Sequence, residues 1–533
     1  MIRDLAQAEG IAKVTAKACI IGGGIAGLLL ASRLVEHGVA VVVLESGGEH
    51  PTEANHPLNA VKQIGEPYRG AIAGRCRGFG GNSAIWGGQL VPLDPATMAA
   101  RPHVDLKKWP LGPRDIQSYL SQIERLFGVD GGAYDATFFA ARGDRDPLPL
   151  ADSDIELKAS KVANFKKRNL ASVLREVFLH NSSIEVWLNA TVTEFEVESE
   201  TGRLRYAFAT NREGKRLQVR ADCFVVACGA IESTRLLLAL DLASNSHAFA
   251  GCSALGRYFH DHLSLQMAEL IPKDRRRLNR AFAPHFVRNT MRSTRLELSH
   301  RAQTEDNVAS AYGHVAMETE DSSSFNVLRD FLRNRQKTAT VDFQLLLALS
   351  RQVPYLTLLA YWRFIYGQLY YPSDAPLRLH VVIEQLPHFE NQITLTDERD
   401  LLGACVPAIN WRPRETEQRT LASYMKRVDG FWRRNSLDRL ACLSWIAGQH
   451  DLEETIQLPR TMGDIFHPAG TTRMGLNARD AVVDCNMRTF AVANLWVAST
   501  SVFPTLGSAN PTLTLMMLTL RLGDHLTQIM SVR

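Results

Sequence analysis

The sequence predicts an α/β fold in which a nucleotide-binding unit, built on a parallel sheet, is interleaved with a second unit that covers substrate. Three observations predict it. A glycine-rich turn joins an apolar strand to a helix near the N-terminus, and strand-to-glycine and proline-started helix signals return at about 183–238 and 495–526. The stretches between them, roughly 96–180 and 263–460, carry no nucleotide signature. Interleaved units fit that distribution better than units strung in series. The expected division is 1–95, 181–262 and 461–533 for the nucleotide unit, and 96–180 and 263–460 for the substrate unit.

Taken in order, the apolar run Ala18 to Ile21 leads into Gly22-Gly23-Gly24-Ile25-Ala26-Gly27 and a helical stretch ending at His37-Gly38. This is the strand, turn and helix of a Rossmann-like unit. Gly22 permits the tight turn, Gly24 lets backbone N–H groups approach a pyrophosphate, and Gly27 lets helix and strand pack closely. Ile25 and Ala26 then open a helix whose positive end meets the phosphates. A second strand, Val39 to Leu44, ends on Glu45, 21 residues after Gly24. That carboxylate is placed to accept hydrogen bonds from an adenosine ribose and repels a 2′-phosphate, so the nucleotide expected is FAD or NAD rather than NADP.

The segment IEVWLNATVTEFEVES (184–199) alternates apolar and polar residues as half-buried strands do, Thr201-Gly202 makes a turn, and LRYAFATN (204–211) pairs back. Cys223 to Ala230 reads as a buried strand ending in glycine, with IESTRLLLAL as the helix after it. Its junction at Ala227 and Gly229 brings backbone close to a ligand. Near the C-terminus Leu495 to Ala498 is a short strand. Asn510-Pro511-Thr512 starts a helix whose periodic apolar residues continue through Leu526.

The chemistry concentrates in that last block. His467 opens HPAGTTRMG, 43 residues before the Asn510-Pro511 pair. Read alone, His467 is a hydrogen-bonded core histidine and Asn510 a helix cap. Read together beside a flavin, an imidazole with a pKa near neutrality suits a general base for a hydroxyl proton. A neutral amide holds the substrate oxygen without competing for that proton. The positive end of the helix starting at Pro511 would stabilise negative charge on the pyrimidine edge of a reduced flavin.

Composition excludes other classes. The chain has 533 residues, a formal charge of +4, 22% charged and 45% hydrophobic residues, so nucleic acid is not indicated. Two basic clusters, KDRRRLNR (273–280) and RNRQK (333–337), read as solvated loops. Eight cysteines without a CxxC pair or zinc spacing read as reduced packing residues, Cys223 and Cys228 among them, and no metal site is expected. The start MIRDLAQAEG lacks a signal core, so the expected location is the cytoplasm. No apolar run reaches the roughly 18 residues that span a bilayer. The nearest, Val341 to Tyr371, is broken by Arg351, Gln352, Pro354 and Arg363. Core packing is the favoured reading of its aromatic second half (355–371), over a substrate entrance or a membrane contact.

Further motifs, RCRGFGGNSAIWGGQLVPLD (75–94), FVVACGAIESTRLLL (224–238) and GRYFHDHLSL (256–265), complete a pattern. With them the chain resembles the glucose-methanol-choline (GMC) oxidoreductases, FAD-dependent alcohol oxidases and dehydrogenases. The resemblance covers the FAD half well and the substrate half thinly. It implies a glutathione-reductase-like FAD domain interleaved with an α+β substrate-binding domain on a mostly antiparallel sheet. It places the family's catalytic histidine on His467, its second active-site position on Asn510, the flavin-contacting glycines on Gly80 and Gly81 with Asn82 and Ser83 beside them, and the adenine-side valine on Val192.

It also implies an alcohol substrate whose proton passes to His467 and whose hydride passes to flavin N5. The reduced FAD would be reoxidised by oxygen, a quinone or an electron-transfer protein. Ile85 precedes Trp86 where some sugar oxidases carry an attaching histidine, so FAD is expected to be non-covalent. Ser499 stands where many members have aspartate. The WGGQ and EQLP (Glu384 to Pro387) segments are most similar to the pyranose-oxidising and polysaccharide-cluster branch, which implies a sugar, glycoside or polyol hydroxyl. His260 and His262, flanking Asp261, read as structural. Two rivals stand beside this reading. An FAD monooxygenase or NAD(P)H-dependent flavin reductase would need a second glycine fingerprint or a CxxC, and the sequence has neither. A non-enzymatic FAD-binding interaction module finds support only in the aromatic stretch.

Overall fold

Parallel strand pairing around the glycine turn organises the first half of the molecule, a computed structural model that describes residues 1–50, 56–142, 148–244, 248–318, 324–338, 343–350, 352–372, 375–446 and 462–531. The strand Ile11–Ile21 sits between Val41–Leu44 and Arg216–Val226, parallel to both. Ile184–Leu188 and Ile2–Asp4 extend the sheet beyond Val41–Leu44, also in parallel. On the other side Arg216–Val226 splits its partners. Its first half pairs antiparallel with Arg203–Thr210, and its last residues, Phe224 to Val226, pair in parallel with Leu495–Val497.

The first strand begins at Ile11, earlier than the apolar run suggested. Its outer half alternates exposed and half-buried residues, and only Ala18 to Ile21 are covered on both faces. The helix Ile25–Glu36 buries Leu28, Leu30 and Leu34 completely, each contributing about 1.5–3 kcal/mol on transfer from water. The C-terminal helix Pro511–Ser531 packs on it, and Arg33 Nε donates to Asp524 Oδ1 at 2.6 Å across the pair.

Two glycines of the fingerprint are fixed by packing. Gly22 has φ 111°, and a Cβ there would stand 2.6 Å from the Ala227 carbonyl oxygen. A Cβ on Gly27 would collide with the Gly22 carbonyl oxygen, so the strand and helix could not keep their distance. Gly27→Ala is therefore expected to cost about 1–3 kcal/mol or more by overpacking. A lowered thermal midpoint together with lowered FAD content of the purified protein would show it.

The second half is an antiparallel sheet in the order Ala441–Trp445, His262–Pro272, Leu377–Glu384, Ala311–Met317, Thr290–Leu298, Ile155–Val162, Gln89–Leu90. Gly463–Asp464 joins it beside His262–Pro272. A small sheet, Gln392–Arg399 with Cys405–Trp411 and Lys62–Gly65, stands apart. One face of the large sheet carries Leu157, Leu296, Leu379, Val381, Leu263 and Leu265, buried under the helix Glu415–Arg434 through Leu421, Met425 and Val428. The alternate residues of the same strands are mostly polar and form the opposite face.

Three readings of the sequence are corrected. The cluster 273–280 is a helix, Arg275–Phe282, capped by Asp274 accepting from the Arg277 N–H. Leu278 and Phe282 share its buried face, and Phe282 stacks on Trp432 with ring centroids 5.4 Å apart. The cluster 333–337 also lies within a helix, Ser324–Thr338. In the aromatic stretch Trp362 and Tyr371 are buried, but Tyr361 and Phe364 are exposed, so core packing accounts for only part of it. Val341 and Arg351 of that run lie outside the described residues. All eight cysteines are free. Among the described residues no helix is long and apolar enough to cross a membrane.

Candidate active site

A cavity of about 550 Å³ runs from the glycine turn to the start of the C-terminal helix. Gly22, Gly24, Ile25, Ala26, Glu45, Gly81, Asn82, Val192, Ala227, Gly229, His467, Asn510, Pro511 and Thr512 line it, so the fold brings most of the expected residues to one space. Gly27, Gly80 and Ser83 are not on its wall. Gly80, at φ 102°, shapes the turn, and a Cβ there would meet Asn169 Oδ1 at 2.6 Å. Ser83 is turned inward: its hydroxyl donates to the Gly80 carbonyl at 2.6 Å and accepts from the Leu170 N–H at 3.0 Å.

The nucleotide end suits a dinucleotide. The helix at Ile25 starts from Gly24 without a side-chain cap, so its first N–H groups are left for a ligand. A Cβ on Gly24 would meet no protein atom within 4 Å, which leaves the space open to a phosphate. Glu45 is buried, its Oε1 accepting from the N–H groups of Gly47 and Gly78 and its Oε2 from that of Gly23 at 2.7 Å. Burial raises its pKa against those bonds and Arg77. Oε2 accepts this one bond and retains capacity for a ribose hydroxyl.

The sequence reading assigned no role to Arg75 and Arg77 of RCRGFGG. Both contact Glu232 Oε2, at 2.7 and 3.1 Å, and Arg235 contacts its other oxygen. Burial alone would raise the Glu232 pKa, but Arg235, Arg77 and Arg75 hold it down to about 2. The cluster keeps more positive than negative charge beside the cavity, which favours an anionic ligand.

At the other end the loop 505–510 is held by residues of the antiparallel sheet and its surroundings. Trp109 Nε1 donates to Thr505 Oγ1 at 2.9 Å, and Gly507 N donates to Glu384 Oε1 at 2.8 Å. Glu384, in the EQLP segment, is fully buried and paired with both terminal nitrogens of Arg101 at 2.6 and 2.7 Å. Burial opposes its ionisation, yet Arg101 holds its pKa down to about 2. Arg295, also fully buried, donates to the Ser508 carbonyl at 2.6 Å, to Glu297 Oε1 at 2.7 Å and to Asn510 Oδ1 at 3.1 Å, with its guanidinium over the Tyr312 ring. The bond to Asn510 settles the orientation of the amide. Arginine only donates, so the atom facing it is oxygen, and the Asn510 NH₂ faces away from Arg295.

The same logic sets the histidine. His262 Nε2 lies 2.6 Å from the Gly507 carbonyl oxygen, which only accepts, so that nitrogen carries the proton. Burial lowers the His262 pKa to about 4, so the ring is neutral and its Nδ1 accepts. His467 Nδ1, 3.0 Å away, is therefore the donor, and its Nε2 holds a free lone pair. Asp261 carboxylate oxygens accept the His467 backbone N–H at 2.9 Å and the Tyr68 hydroxyl at 2.6 Å, pinning the loop that carries the ring. Burial pushes the Asp261 carboxyl up to about 8, against those bonds. Asp261, His262 and His467 are close enough to suggest a metal group, but their facing atoms are already engaged with one another and with backbone. His260 turns away, its Nδ1 bonded to the Tyr258 carbonyl at 2.7 Å.

A pKa near neutrality was expected for His467. Instead burial first, then His262 and Arg295, hold it well below the ordinary imidazole value. Because the shift is downward, the protonated ring, which could not accept a proton, gathers only in more acidic solution. Substrate-driven flavin bleaching should therefore stay level as pH falls through the ordinary imidazole range. A decline centred near neutrality in stopped-flow pH profiles would contradict this.

A Rossmann-like nucleotide site that shares one cavity with a neutral histidine and an amide is compatible with a flavin-dependent oxidoreductase of alcohols. Comparison with known proteins narrows the class. The GMC oxidoreductase family model matches residues 387–519, and an NAD(P)-binding Rossmann-like domain model matches residues 20–51. A 2-methyl-1,2-propanediol dehydrogenase of Mycolicibacterium austroafricanum is 23% identical, with 96% of this chain and 94% of that protein covered. A paromamine 6'-oxidase of Streptomyces fradiae is 24% identical over 41% of this chain and 48% of its own length. Among solved structures, a pyridoxine 4-oxidase shares the fold at a TM-score of 0.55 and 17% identity, covering 96% of this chain and 99% of its own. A formate oxidase of Aspergillus oryzae does so at 0.57 and 13%, covering 97% and 99%. The C-terminal part of the chain is similar to the GMC oxidoreductases, and its cofactor is FAD.

Proposed function

We propose that the protein oxidises a primary or secondary hydroxyl of a polyhydroxylated molecule, a sugar, glycoside or polyol, to the carbonyl, with His467 as base and Asn510 as the group that holds the substrate oxygen. The observation that carries this reading is the opposite polarity of the two side chains on one cavity. The free lone pair on His467 Nε2 can accept the hydroxyl proton, and the Asn510 NH₂ can donate to the oxygen as negative charge develops on it. Arg295, behind the amide, adds a fixed positive charge that favours the alkoxide. FAD, held non-covalently, supplies the acceptor for the hydride that leaves the carbon.

The polar face of the antiparallel sheet supports a substrate rich in hydroxyls. Gln89, on the cavity wall, donates to Ser160 Oγ at 2.8 Å. Beyond it Ser264, Gln266, Ser293, His314 and His380 are half-buried, with His314 and His380 stacked at 5.5 Å. One relative is named for a diol and another for the 6' position of paromamine. The test is anaerobic photometry of the FAD-loaded protein against diols, polyols, sugars and simple alcohols. Bleaching is expected with polyhydroxylated compounds. Bleaching by NADPH alone, or by no alcohol at all, would overturn the reading.

A further inference from the structure

We propose that the segment Val353–Tyr366 is a membrane-surface contact that docks on bilayers bearing anionic headgroups. The helix Val353–Tyr361 and the turn Trp362–Tyr366 raise an apolar ridge into solvent. Val353, Leu358, Tyr361, Phe364 and Ile365 are all exposed, Phe364 by 83% and Ile365 by 64%. From Gln352 to Trp362 the sequence holds no charged residue. Single exposed apolar residues are ordinary on a protein surface, but five gathered on one short segment are not. The ridge is firmly mounted, because Leu359 and Trp362 are buried beneath it and the Trp362 ring packs against Tyr366 and Tyr370 at 4.7 and 5.6 Å.

Its occupant is indicated by charge. Arg276 donates to the Tyr366 hydroxyl at 2.8 Å, and the guanidinium groups of Arg276 and Arg280 stand 5.9 and 5.3 Å from the Tyr366 ring centre. Arg363 lies over the Phe286 ring at 3.9 Å and donates to the Arg288 carbonyl. Arg276 and Arg288 are exposed. An apolar ridge collared by arginines matches a bilayer surface, where apolar side chains enter the acyl boundary and guanidinium groups meet phosphate. A second copy of the chain fits poorly, because a two-fold contact would set one basic collar against the other. The ridge would rest on the membrane rather than cross it, since no described helix is long and apolar enough to span.

Flotation of the full-length, FAD-loaded protein with vesicles of phosphatidylcholine alone, or mixed with phosphatidylglycerol, tests this at low and high salt. Binding is expected on the phosphatidylglycerol vesicles and should weaken with salt. F364S/I365S should lower the apparent affinity about tenfold or more. R276Q/R280Q should do so by a similar factor on anionic vesicles. Neither variant should change flavin content or the rate with a soluble alcohol. Failure of the unaltered protein to float with phosphatidylglycerol vesicles at low salt would overturn the proposal, as would equal flotation of F364S/I365S. A dimer of the unaltered protein that F364S/I365S splits would assign the ridge to a second copy instead.

Discussion

Replacing His467 with Ala is expected to slow substrate-driven flavin bleaching by about a hundredfold to ten-thousandfold, the usual contribution of a positioned general base. The loss should fall on the rate at saturating substrate more than on substrate affinity, because in the proposed mechanism the free Nε2 acts on a proton that leaves only in the reaction. Ala removes the partner of His262 Nδ1 but leaves the His467 backbone N–H bonded to Asp261, so the loop should keep its place. Flavin content and spectrum of the variant would check that. His467→Ala that bleaches at the unaltered rate would remove His467 from the mechanism. His262→Leu and His262→Asn refine the test. Asn can present an acceptor where Nδ1 stands and should keep more of the rate than Leu, which offers none.

Arg295→Met is expected to be the most damaging single change outside the cavity wall. Arg295 is fully buried and joins Glu297, the Ser508 carbonyl and Asn510. Its removal leaves the Glu297 carboxylate buried with one cation fewer, a loss of about 3–5 kcal/mol when a buried pair is broken from one side. Burial alone would raise the Glu297 pKa, and Arg295 is the first of the groups that hold it down. The double variant R295M/E297Q removes both charges and should recover much of that stability in denaturant titrations. It should not recover the rate, because Asn510 has lost the donor that fixes its orientation. The rate loss should be smaller than the roughly hundredfold or more that deleting a direct donor costs. Equal stability of R295M and the unaltered protein would contradict the account.

Local pattern carried much of the nucleotide half. The alternation in Thr191–Glu198, the turn at Gly202, and the proline-started helix at Pro511 are all written in short windows, where steric and capping rules act between neighbours. The helix Arg275–Phe282 was misread because its arginines mask a short apolar face, and only the Trp432 ring against Phe282 reveals that face as buried. The aromatic ridge failed for the opposite reason. Apolar composition implies burial only when something lies on top, and among the described residues Phe364 stays 83% exposed.

The residues that bear the proposed chemistry, His467 and Asn510, were nameable from sequence because each sits in a motif with its own local grammar. Their working states were not. That His467 donates through Nδ1 depends on His262, 205 residues earlier in the chain, and on the carbonyl of Gly507. That Asn510 presents its NH₂ depends on Arg295, 215 residues away on an antiparallel strand. Sequence alone determined the cofactor fold and the candidate pair, because glycine sterics and helix starts are short-range. Tertiary structure alone decided tautomer, amide orientation and lowered basicity, because hydrogen bonds and burial act through space between groups whose separation along the chain carries no signal.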